Sequence, residues 1–540
     1  MSSSILTQGG KRVAVLGGGV SGLTAYHYLT KRVGLAAQLR AKQNEDDMLK
    51  IDLFESSPRT GGRIETEVWE KSVIERGPRS IRVAGHGIHT LDLVAELRLE
   101  NQILFACKKA KTRYMLIDGK VQPLPSSFLN AVRFGFSNGL VYPILSEIFR
   151  SRSKEEDESI QSFFSRRLGE NAASMFVEPV CLGIHGGDYT RLSIKSCFPS
   201  LYELERESGS LILGSLLAKK KQEAESLEKT ALSLDHDSVR RVKSMLNKDN
   251  DSTRIFSFKD GGLQMLTDKL TKSIPERKLY MNTHIQSIER SDKNGTPVYR
   301  LVDSHGNEHE YDTVVSTVPL HQWASKKPLG SFDSELAALC SKMEYSNIAV
   351  VNLVYDSTPV RARVSGLGFG YLVASREGLP VLGVAVDSNT FPESAGMGNG
   401  GARSIITVMI GGNSGISQRN PQWQDVINMK KSTLIDIAIK HVEQYLGLNE
   451  AQTRPIHTAA TIYHNAIPHY SVGHQALCKQ IEQHLQDKYK GTLQLGGNHM
   501  IGVGVNDSIY NSKSIAQKVI NRIFNNNNKD NVHYRTDIVK

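Results

Sequence analysis

The fold is decided by the stretch Val13-Ala-Val-Leu-Gly-Gly-Gly-Val-Ser-Gly22, a short apolar strand that runs directly into a glycine-rich turn. Gly17, Gly19 and Gly22 have the G-x-G-x-x-G spacing of a βαβ unit that binds a dinucleotide. The first glycine permits the tight turn, the second lets a pyrophosphate approach the backbone, and the third lets helix and strand pack closely. A helix over roughly residues 22–31 should follow and direct its N-terminal amides at the phosphate. Because glycine-rich turns are common, the motif by itself leaves an ordinary turn open.

A second strand, Lys50-Ile-Asp-Leu-Phe-Glu55, ends in an acid. Glu55 is in the place of the acid that binds an adenosine ribose hydroxyl, although a solvated strand end is the alternative. The gap from Gly17 is longer than the usual spacing of roughly 20 residues. The excess lies in residues 34–49, which are rich in charged and polar side chains and which we interpret as a surface insertion.

The segment Ser57-Pro-Arg-Thr-Gly-Gly-Arg63 follows directly. Its R-x-G-G-R pattern resembles the second fingerprint of the flavin-dependent amine oxidase superfamily. Two glycines let the backbone approach a cofactor, and Arg59 and Arg63 can donate to phosphate or ribose. The alternative is an ordinary basic turn. Three such segments in this order favour FAD over NAD.

Composition limits the other functions. The chain has 540 residues, 39% of them hydrophobic, which predicts two or three domains with real cores. Its net charge of +10 suits nucleic acid, an anionic membrane or an anionic substrate, but no nucleic-acid module is visible, so no nucleic-acid partner is expected. Five scattered cysteines form no C-x-x-C pair, and four late histidines (His457, His464, His469, His474) match no metal signature. We therefore expect no disulfide framework and no metal site.

Two long segments differ in amino-acid composition from the rest of the chain. Residues 128–149 are rich in apolar side chains, and a buried helical core and a patch lying in a membrane interface both remain open. Residues 219–254 are highly charged, and we expect one part of this segment to form a solvated helix and the other part a mobile loop. No run of apolar residues is long enough to span a membrane, and the first ten residues carry no presequence pattern.

Segments with the patterns of cofactor-binding loops also occur late in the chain. Residues 257–266 predict a Gly-Gly turn before a helix, and residues 285–289 and 311–319 predict strands. The segment Leu495-Gly-Gly-Asn-His-Met-Ile-Gly-Val-Gly-Val-Asn-Asp-Ser508 predicts a strand and glycine-rich loop before an amphipathic helix, with Asp507 or Ser508 as its N-cap. The N-terminus of that helix could face the flavin pyrimidine edge and stabilise negative charge there. A discontinuous FAD domain would explain cofactor motifs at both chain ends.

Several further motifs carry a more specific resemblance. They are Glu75-Arg-Gly-Pro-Arg-Ser-Ile-Arg82, Phe176-Val-Glu-Pro-Val-Cys-Leu-Gly-Ile-His-Gly-Gly-Asp188, Leu192-Ser-Ile-Lys-Ser-Cys-Phe-Pro-Ser-Leu201, Gly368-Phe-Gly-Tyr-Leu-Val373, Asp387-Ser-Asn-Thr-Phe-Pro392 and Ala466-Ile-Pro-His-Tyr-Ser-Val-Gly-His474. Together with the closing glycine-rich loop they resemble the protoporphyrinogen oxidase family, from about residue 12 to residue 523. The loop around His185 and Gly186 varies within that family.

The resemblance implies an α/β fold with a Rossmann-type FAD-binding domain built from discontinuous segments, an α+β substrate domain and a helical membrane-associating domain. The expected FAD domain comprises residues 11–104, 258–320 and 457–526. The expected substrate domain comprises residues 105–129, 226–257 and 321–456. Residues 130–225 are the expected membrane-binding domain, and residues 527–540 the expected disordered tail.

The resemblance also implies site residues. The FAD-binding set is Gly17, Gly18, Gly19, Val20, Ser21, Gly22, Glu55, Ser56, Arg63, Gly77, Pro78, Arg79, Ser80, Ile285, Asn498, Val503, Gly504 and Val505. Arg113 matches the arginine that binds a substrate propionate, although by itself it would be interpreted as a surface residue of a strand. Gly183 would lend a carbonyl to pyrrole N–H groups, and Leu372 and Phe391 would sandwich the macrocycle, with core packing as the alternative. No catalytic acid or base is nominated.

The implied activity is oxidation of protoporphyrinogen IX to protoporphyrin IX in haem biosynthesis, with noncovalent FAD and with O2 as acceptor, giving H2O2. The implied location is the mitochondrial inner membrane on its intermembrane-space side, bound at the membrane surface. A homodimer and a ferrochelatase contact stay open. Three other identities also stay open: another flavin amine oxidase, a carotenoid-type desaturase and a non-catalytic porphyrin-binding protein. A covalent flavin would need a cysteine near the C-terminal loop, and Cys478 lies well before that loop.

Overall fold

A computed structural model describes residues 11–39, 49–124, 146–215, 236–251, 253–293, 296–324, 328–398, 401–412, 428–448 and 454–525. Most of the interface patch expected over 128–149, residues 40–48 of the insertion, residues 219–235 of the charged segment and the predicted disordered tail lie outside these residues. Within the described part of the chain, no helix combines the length and the apolar character that crossing a bilayer requires.

The strands, in chain order, are β1 (Lys11–Leu16), β2 (Leu49–Phe54), β3 (Thr66–Trp69), β4 (Ser72–Glu75), β5 (Ile81–Arg82), β6 (Ile103–Phe105), β7 (Tyr114–Ile117), β8 (Lys120–Pro123), β9 (Ile255–Phe258), β10 (Leu279–Tyr280), β11 (Ile285–Lys293), β12 (Thr296–Asp303), β13 (Glu308–Tyr311), β14 (Thr313–Ser316), β15 (Tyr345–Tyr355), β16 (Gly370–Val373), β17 (Val381–Val386), β18 (Met397–Gly398), β19 (Gly401–Ala402), β20 (Ser404–Gly411), β21 (His457–Pro468) and β22 (Leu493–Leu495).

The α-helices are α1 (Val20–Leu39), α2 (Gly87–Glu96), α3 (Ile160–Leu168), α4 (Glu170–Ala172), α5 (Glu178–His185), α6 (Ile194–Cys197), α7 (Pro199–Ser208), α8 (His236–Leu246), α9 (Gln264–Lys272), α10 (Ser334–Cys340), α11 (Thr358–Val364), α12 (Asp387–Thr390), α13 (Lys431–Leu446), α14 (His474–Tyr489) and α15 (Val505–Asn525). A π-helix spans Ala173–Val177. Short 3-10 helices span Lys108–Lys111, Glu147–Phe149, Glu276–Lys278, Leu320–Gln322, Pro328–Ser331, Ser375–Glu377 and Pro392–Ser394.

The chain divides into two compact units, each assembled from separated segments. The first comprises the described residues of Met1–Ile64, Gln264–Met343 and Ala476–Lys540, and the second those of Glu65–Leu263 and Glu344–Gln475. The mixed α/β class and the discontinuous construction of the nucleotide-binding part are confirmed. The expected boundaries of three separate domains stay predictions.

The first unit contains a parallel five-stranded sheet in the order β10-β2-β1-β14-β22. Its central strands are apolar and buried: Val13, Val15, Val314 and Val315 have no exposed surface. Such continuous apolar runs are typical of strands covered on both faces. In a parallel sheet the carboxyl ends of all strands meet at one edge. The glycine-rich turn after β1, Glu55 after β2 and the loop after β22 therefore share that edge.

Two helices of this unit differ from the sequence-based expectation. α1 begins earlier than expected and continues to Leu39, so part of the proposed insertion is helical. The prediction of Asp507 or Ser508 as N-cap of the last helix is wrong, because α15 begins at Val505. The Asp507 Oδ2 accepts a hydrogen bond of 3.3 Å from the Gly504 amide. Asp507 thus reaches back from the first turn to the residue before the helix, as the third residue of a capping box does.

The second unit contains a seven-stranded sheet in the order β21-β15-β20-β17-β16-β7-β8. Its pairs are antiparallel except for β16 with β7, which is parallel. Helix α13 packs on this sheet, and Leu434, Ala438 and Val442 place one buried side chain per turn into the same core. In the charged segment, α8 buries Val242 and Met245, so the helix expected there is confirmed and has one apolar face.

Candidate active site

The glycine-rich turn after β1 has the conformation that its spacing predicts. Gly17 has a φ of +99° and donates its amide to the Phe54 carbonyl at 2.8 Å. A Cβ on Gly22 would lie 1.8 Å from the Gly17 carbonyl oxygen, so any larger residue would push helix and strand apart. The close packing predicted for the third glycine is confirmed. The first turn of α1 contains no acidic residue, and its free amides therefore suit an anion.

The R-x-G-G-R loop packs directly on this turn. The Gly61 amide donates to the Gly18 carbonyl at 2.8 Å, and Gly19 and Gly61 form a parallel bridge. A Cβ on Gly62 would lie 3.1 Å from the Gly19 Cα. The two glycine-rich segments therefore form one backbone surface, a contact between them that their separate motifs do not predict.

Glu55 joins the same group of backbone atoms. One of its carboxylate oxygens accepts from the Gly18 amide at 2.6 Å, and the other accepts from the Ser57 amide at 2.8 Å and the Ser57 hydroxyl at 2.6 Å. The carboxylate is half-buried, and the oxygen that accepts from the Gly18 amide retains a lone pair for a ribose hydroxyl. Ser56, also in the predicted FAD-binding set, is exposed beside it.

Arg59 differs from its expected role. Its guanidinium donates to the carbonyl oxygens of Thr60 at 3.0 Å, Gly62 at 2.6 Å and Ile64 at 3.1 Å. The loop curls around this side chain, so the guanidinium braces the loop rather than pointing at a phosphate. Arg63 is half-buried in the same loop and stays the candidate donor to the cofactor.

The closing loop of the sheet edge is held at both ends. The Gly496 amide donates to the Ser316 carbonyl at 2.8 Å, and the Gly497 amide to the Asn511 side chain at 3.1 Å. Between these anchors and α15, the predicted flavin-lining residues are half-buried: Asn498, Val503, Gly504 and Val505. Ile285, predicted to offer backbone to the adenine, is buried at the first position of β11. Backbone amides at a helix start, an acid at the end of β2 and a glycine-lined surface are groups that fit FAD.

The predicted substrate residues lie in the second unit. The guanidinium carbon of Arg113 lies 5.7 Å from the centre of the Phe369 ring. Within the described residues the Arg113 side chain makes no hydrogen bond or ion pair, and the residue is exposed. The protein atoms that displace water around the guanidinium, and the nearby charge of Arg82, both lower the pKa of Arg113. A cation in this setting favours binding of an anion.

The other three residues form a continuous neighbourhood with Arg113. A Cβ on Gly183 would lie 2.5 Å from the Leu372 Cδ2, so these two residues are in contact. Leu372 pairs with Met115 across β16 and β7, two residues beyond Arg113. Phe391 is 7% exposed and belongs to an apolar cluster on which Phe369 packs. The structure thus places the four predicted substrate residues around the β7–β16 pair and the Phe369 ring.

The Gly77–Ser80 segment also belongs to the second unit, and all four residues are half-buried. The Nε atom of Arg79 lies 3.5 Å from a carboxylate oxygen of Asp387, and its Nη2 atom lies 3.3 Å from the Met409 sulfur. Sequence reasoning gave no role to Asp387 or to Glu75, which also lies here. The available signal was an acid at the end of β4, a strand buried at all four positions.

The flavin containing amine oxidoreductase family matches residues 20–520 of the chain. This protein belongs to that family. Family membership confirms the expected flavin cofactor and the oxidoreductase class.

A protoporphyrinogen oxidase of Dictyostelium discoideum is 41% identical over 544 residues, covering 94% of this chain and 99% of its own length. The protoporphyrinogen oxidase of Bos taurus is 31% identical, covering 95% and 98%. A crystal structure of a protein from Exiguobacterium sp. 255-15 has a TM-score of 0.71 at 19% identity, covering 95% and 99% of the two chains, and supports the fold.

Proposed function

We propose that this family member oxidises protoporphyrinogen IX to protoporphyrin IX in haem biosynthesis, with O2 as the final acceptor. The observation that carries the proposal is similarity over nearly the whole chain to relatives named protoporphyrinogen oxidase. The overall change removes six hydrogen atoms from the macrocycle in three two-electron rounds. Three molecules of O2 then give three of H2O2, which balances the atoms and electrons.

The cofactor residues hold and orient the flavin. The turn at Gly17–Gly22 and the start of α1 would bind the pyrophosphate, and Glu55 would accept from the ribose while keeping the two glycine loops together. The loop containing Asn498 and the residues Val503–Val505 would line the isoalloxazine ring. Bound FAD supplies the acceptor for hydride, so the protein mainly has to position the substrate and exclude water.

The substrate residues fit a flat, apolar ring system with carboxylate substituents. Arg113 would bind one propionate with a charge-assisted hydrogen bond while its planar group rests on Phe369. The Gly183 carbonyl would accept from pyrrole N–H groups, and Leu372 and Phe391 would cover the two faces of the macrocycle. Because a Cβ at position 183 meets Leu372, the glycine keeps this carbonyl accessible without moving the neighbouring side chain.

An aerobic assay of the purified protein tests the proposal. We expect a yellow protein whose flavin is released by denaturation, and porphyrin fluorescence that rises with protoporphyrinogen faster than with coproporphyrinogen. A preference for coproporphyrinogen would instead identify that tetracarboxylate porphyrinogen as the substrate. A flavin spectrum without oxidation of either porphyrinogen would favour another flavin oxidase or desaturase. A colourless protein that binds porphyrin would favour the non-catalytic alternative.

We infer that the protein binds peripherally or monotopically to the mitochondrial inner membrane, on the intermembrane-space side. Support comes from the uncharged run between Arg133 and Glu147 and from Phe149, which is 84% exposed next to it. Release by a high-salt and carbonate wash would count against this location. Light scattering, with and without ferrochelatase, tests the homodimer and the ferrochelatase contact.

A further inference from the structure

A cavity in the second unit is lined by two acids, an arginine and a predicted substrate residue. The lining includes Glu75, Arg79, Ser257, Asp387 and Phe391. Phe391 shares its apolar cluster with Phe369, the ring beneath Arg113. The polar side of the cavity therefore adjoins the residues proposed to hold the macrocycle.

The two acids are held in different ways. Glu75 is 6% exposed, and its carboxyl accepts from the Leu263 amide at 2.7 Å and the Thr66 hydroxyl at 2.7 Å. Asp387 accepts from the Thr407 hydroxyl at 2.5 Å and faces the Arg79 Nε at 3.5 Å. Only Asp387 thus has the arginine as its ion-pair partner.

The charges in this cavity do not balance if both acids are ionised. A buried and a half-buried carboxylate would then face one guanidinium, and the second negative charge would have no cationic partner among the residues that line the cavity. Burial raises the pKa of Glu75 to about 8; the Leu263 amide, the Thr66 hydroxyl and Arg79 lower it, and the charge of Asp387 raises it. Burial also raises the pKa of Asp387, while Arg79 and Thr407 lower it. The neutral form of Glu75 leaves one negative charge on Asp387, opposite Arg79.

We propose that Asp387 is the proton acceptor of the oxidation and that Glu75 is its positioning residue, held neutral so that Arg79 pairs with Asp387 alone. This inference rests on the proposed function. Each two-electron round transfers a hydride from a meso carbon to the flavin, which O2 reoxidises, and removes a proton from a ring nitrogen. Across the three rounds, one tautomerisation moves a hydrogen from the fourth meso carbon to nitrogen, so that the product keeps four meso C–H and two N–H groups. The N–H bond breaks, its electron pair stays on nitrogen, and the proton forms an O–H bond on Asp387. Asp387 returns the proton to water before the next round, and no further reactant is needed.

Two isosteric variants of the full-length FAD-bound enzyme test this inference. Asp387→Asn removes the acceptor, so we expect kcat to fall by about a hundredfold while KM and the flavin absorbance stay close to wild type. Glu75→Gln imitates the neutral acid, so activity near pH 7 should persist. The loss of kcat expected in the wild type above about pH 8, where Glu75 ionises, should disappear in this variant. A purely structural role would not remove that limb of the pH profile.

Infrared difference spectroscopy gives a readout that does not depend on turnover. The band of a neutral carboxylic acid should be present at pH 7 in the wild type and absent in Glu75→Gln. In Asp387→Asn the band should disappear at a lower pH, because the like charge that opposes ionisation of Glu75 is gone. Glu67→Gln is the matched control, since Glu67 lies on β3, pairs with Arg76 and does not line the cavity.

Three results would overturn the inference. They are an unchanged kcat in Asp387→Asn, an alkaline limb that persists in Glu75→Gln, and a wild-type spectrum without a carboxylic acid band assignable to Glu75. If Asp387→Asn does not retain flavin, the Glu75→Gln profile and spectrum still decide. A wild type that shows the band but oxidises no porphyrinogen would instead reject the proposed function.

Discussion

Arg113 shows how a single side chain can indicate a ligand. Its guanidinium rests on Phe369 and lies near the like charge of Arg82, while the residue as a whole stays exposed. Within the described residues no carboxylate pairs with it. A substrate carboxylate would give this accessible cation a charge-assisted hydrogen bond. Glu55 is the opposite case, since its carboxylate already accepts hydrogen bonds from Gly18 and Ser57, and a ribose hydroxyl would add one more.

Replacing Arg113 should weaken substrate binding selectively. We expect Arg113→Ala to raise KM for protoporphyrinogen by about 10- to 100-fold, because a charge-assisted hydrogen bond contributes about 1.5–3 kcal/mol. Arg113→Lys should recover only part of this loss, since it keeps the charge but not the planar fork. Steady-state kinetics and flavin absorbance measure both effects. Arg376→Ala, which removes a surface arginine paired with Asp118, is the control. Loss of FAD at normal KM would contradict the assignment.

At the scale of elements, Asp333 links two helices of the first unit. It N-caps α10 by accepting from the amides of Glu335 and Leu336. The same carboxylate accepts from His484 at 2.7 Å and Tyr489 at 2.6 Å, near the end of α14. Burial would raise the pKa of Asp333, but these hydrogen bonds hold it well below its usual range. Asp333, Glu335 and His484 bring possible metal ligands within 4.8 Å, yet the Lys488 ammonium already lies 3.1 Å from Asp333.

Removing this link should destabilise the protein. We expect Asp333→Ala to lower the free energy of unfolding by about 2–4 kcal/mol, because a cap is lost and buried donors are left without an acceptor. Thermal unfolding of the FAD-bound protein measures the change. Glu335→Ala removes an exposed acid from the same helix and should cost much less. Equal losses in the two variants would show that the carboxylate of Asp333 has no special role.

At the scale of the whole molecule, distant parts of the chain form the central sheet of the first unit. β1 pairs with β14 through Val13 and Thr313, and β14 pairs with β22 through Val314 and Leu493. The cofactor edge therefore depends on residues from both ends of the chain. We also expect overall stability to depend on pH through groups in both units, because the pKa of Asp303 and Asp333 is lowered, whereas that of Glu75 is raised to about 8.

Because these pKa shifts have opposite signs, the aspartates and Glu75 should stabilise the fold in opposite pH ranges. The Glu75 contribution to stability is fully present below its ordinary pKa of 4.5 and is lost as pH rises towards about 8, because the unfolded chain releases this proton first. Between these limits the free energy of unfolding of the wild type should fall by up to about 1.4 kcal/mol per pH unit. The stability of Glu75→Gln relative to the wild type should therefore increase from pH 5 to pH 8, as measured by urea unfolding. Parallel pH curves for the two proteins would contradict a proton held on Glu75.

The sequence by itself determined the features that depend on local spacing: the turn at Gly17–Gly22, the acid Glu55 after β2 and the R-x-G-G-R loop. Its motifs also indicated the family. Only the tertiary structure decided that Arg59 braces its own loop, that α15 begins before Asp507, and that Glu75, Arg79 and Asp387 meet in one cavity. Local spacing fixes the backbone conformation of a turn or a strand end. The partners of a side chain hundreds of residues away depend on which strands pair in a sheet, and the spacing within a single motif does not determine that pairing.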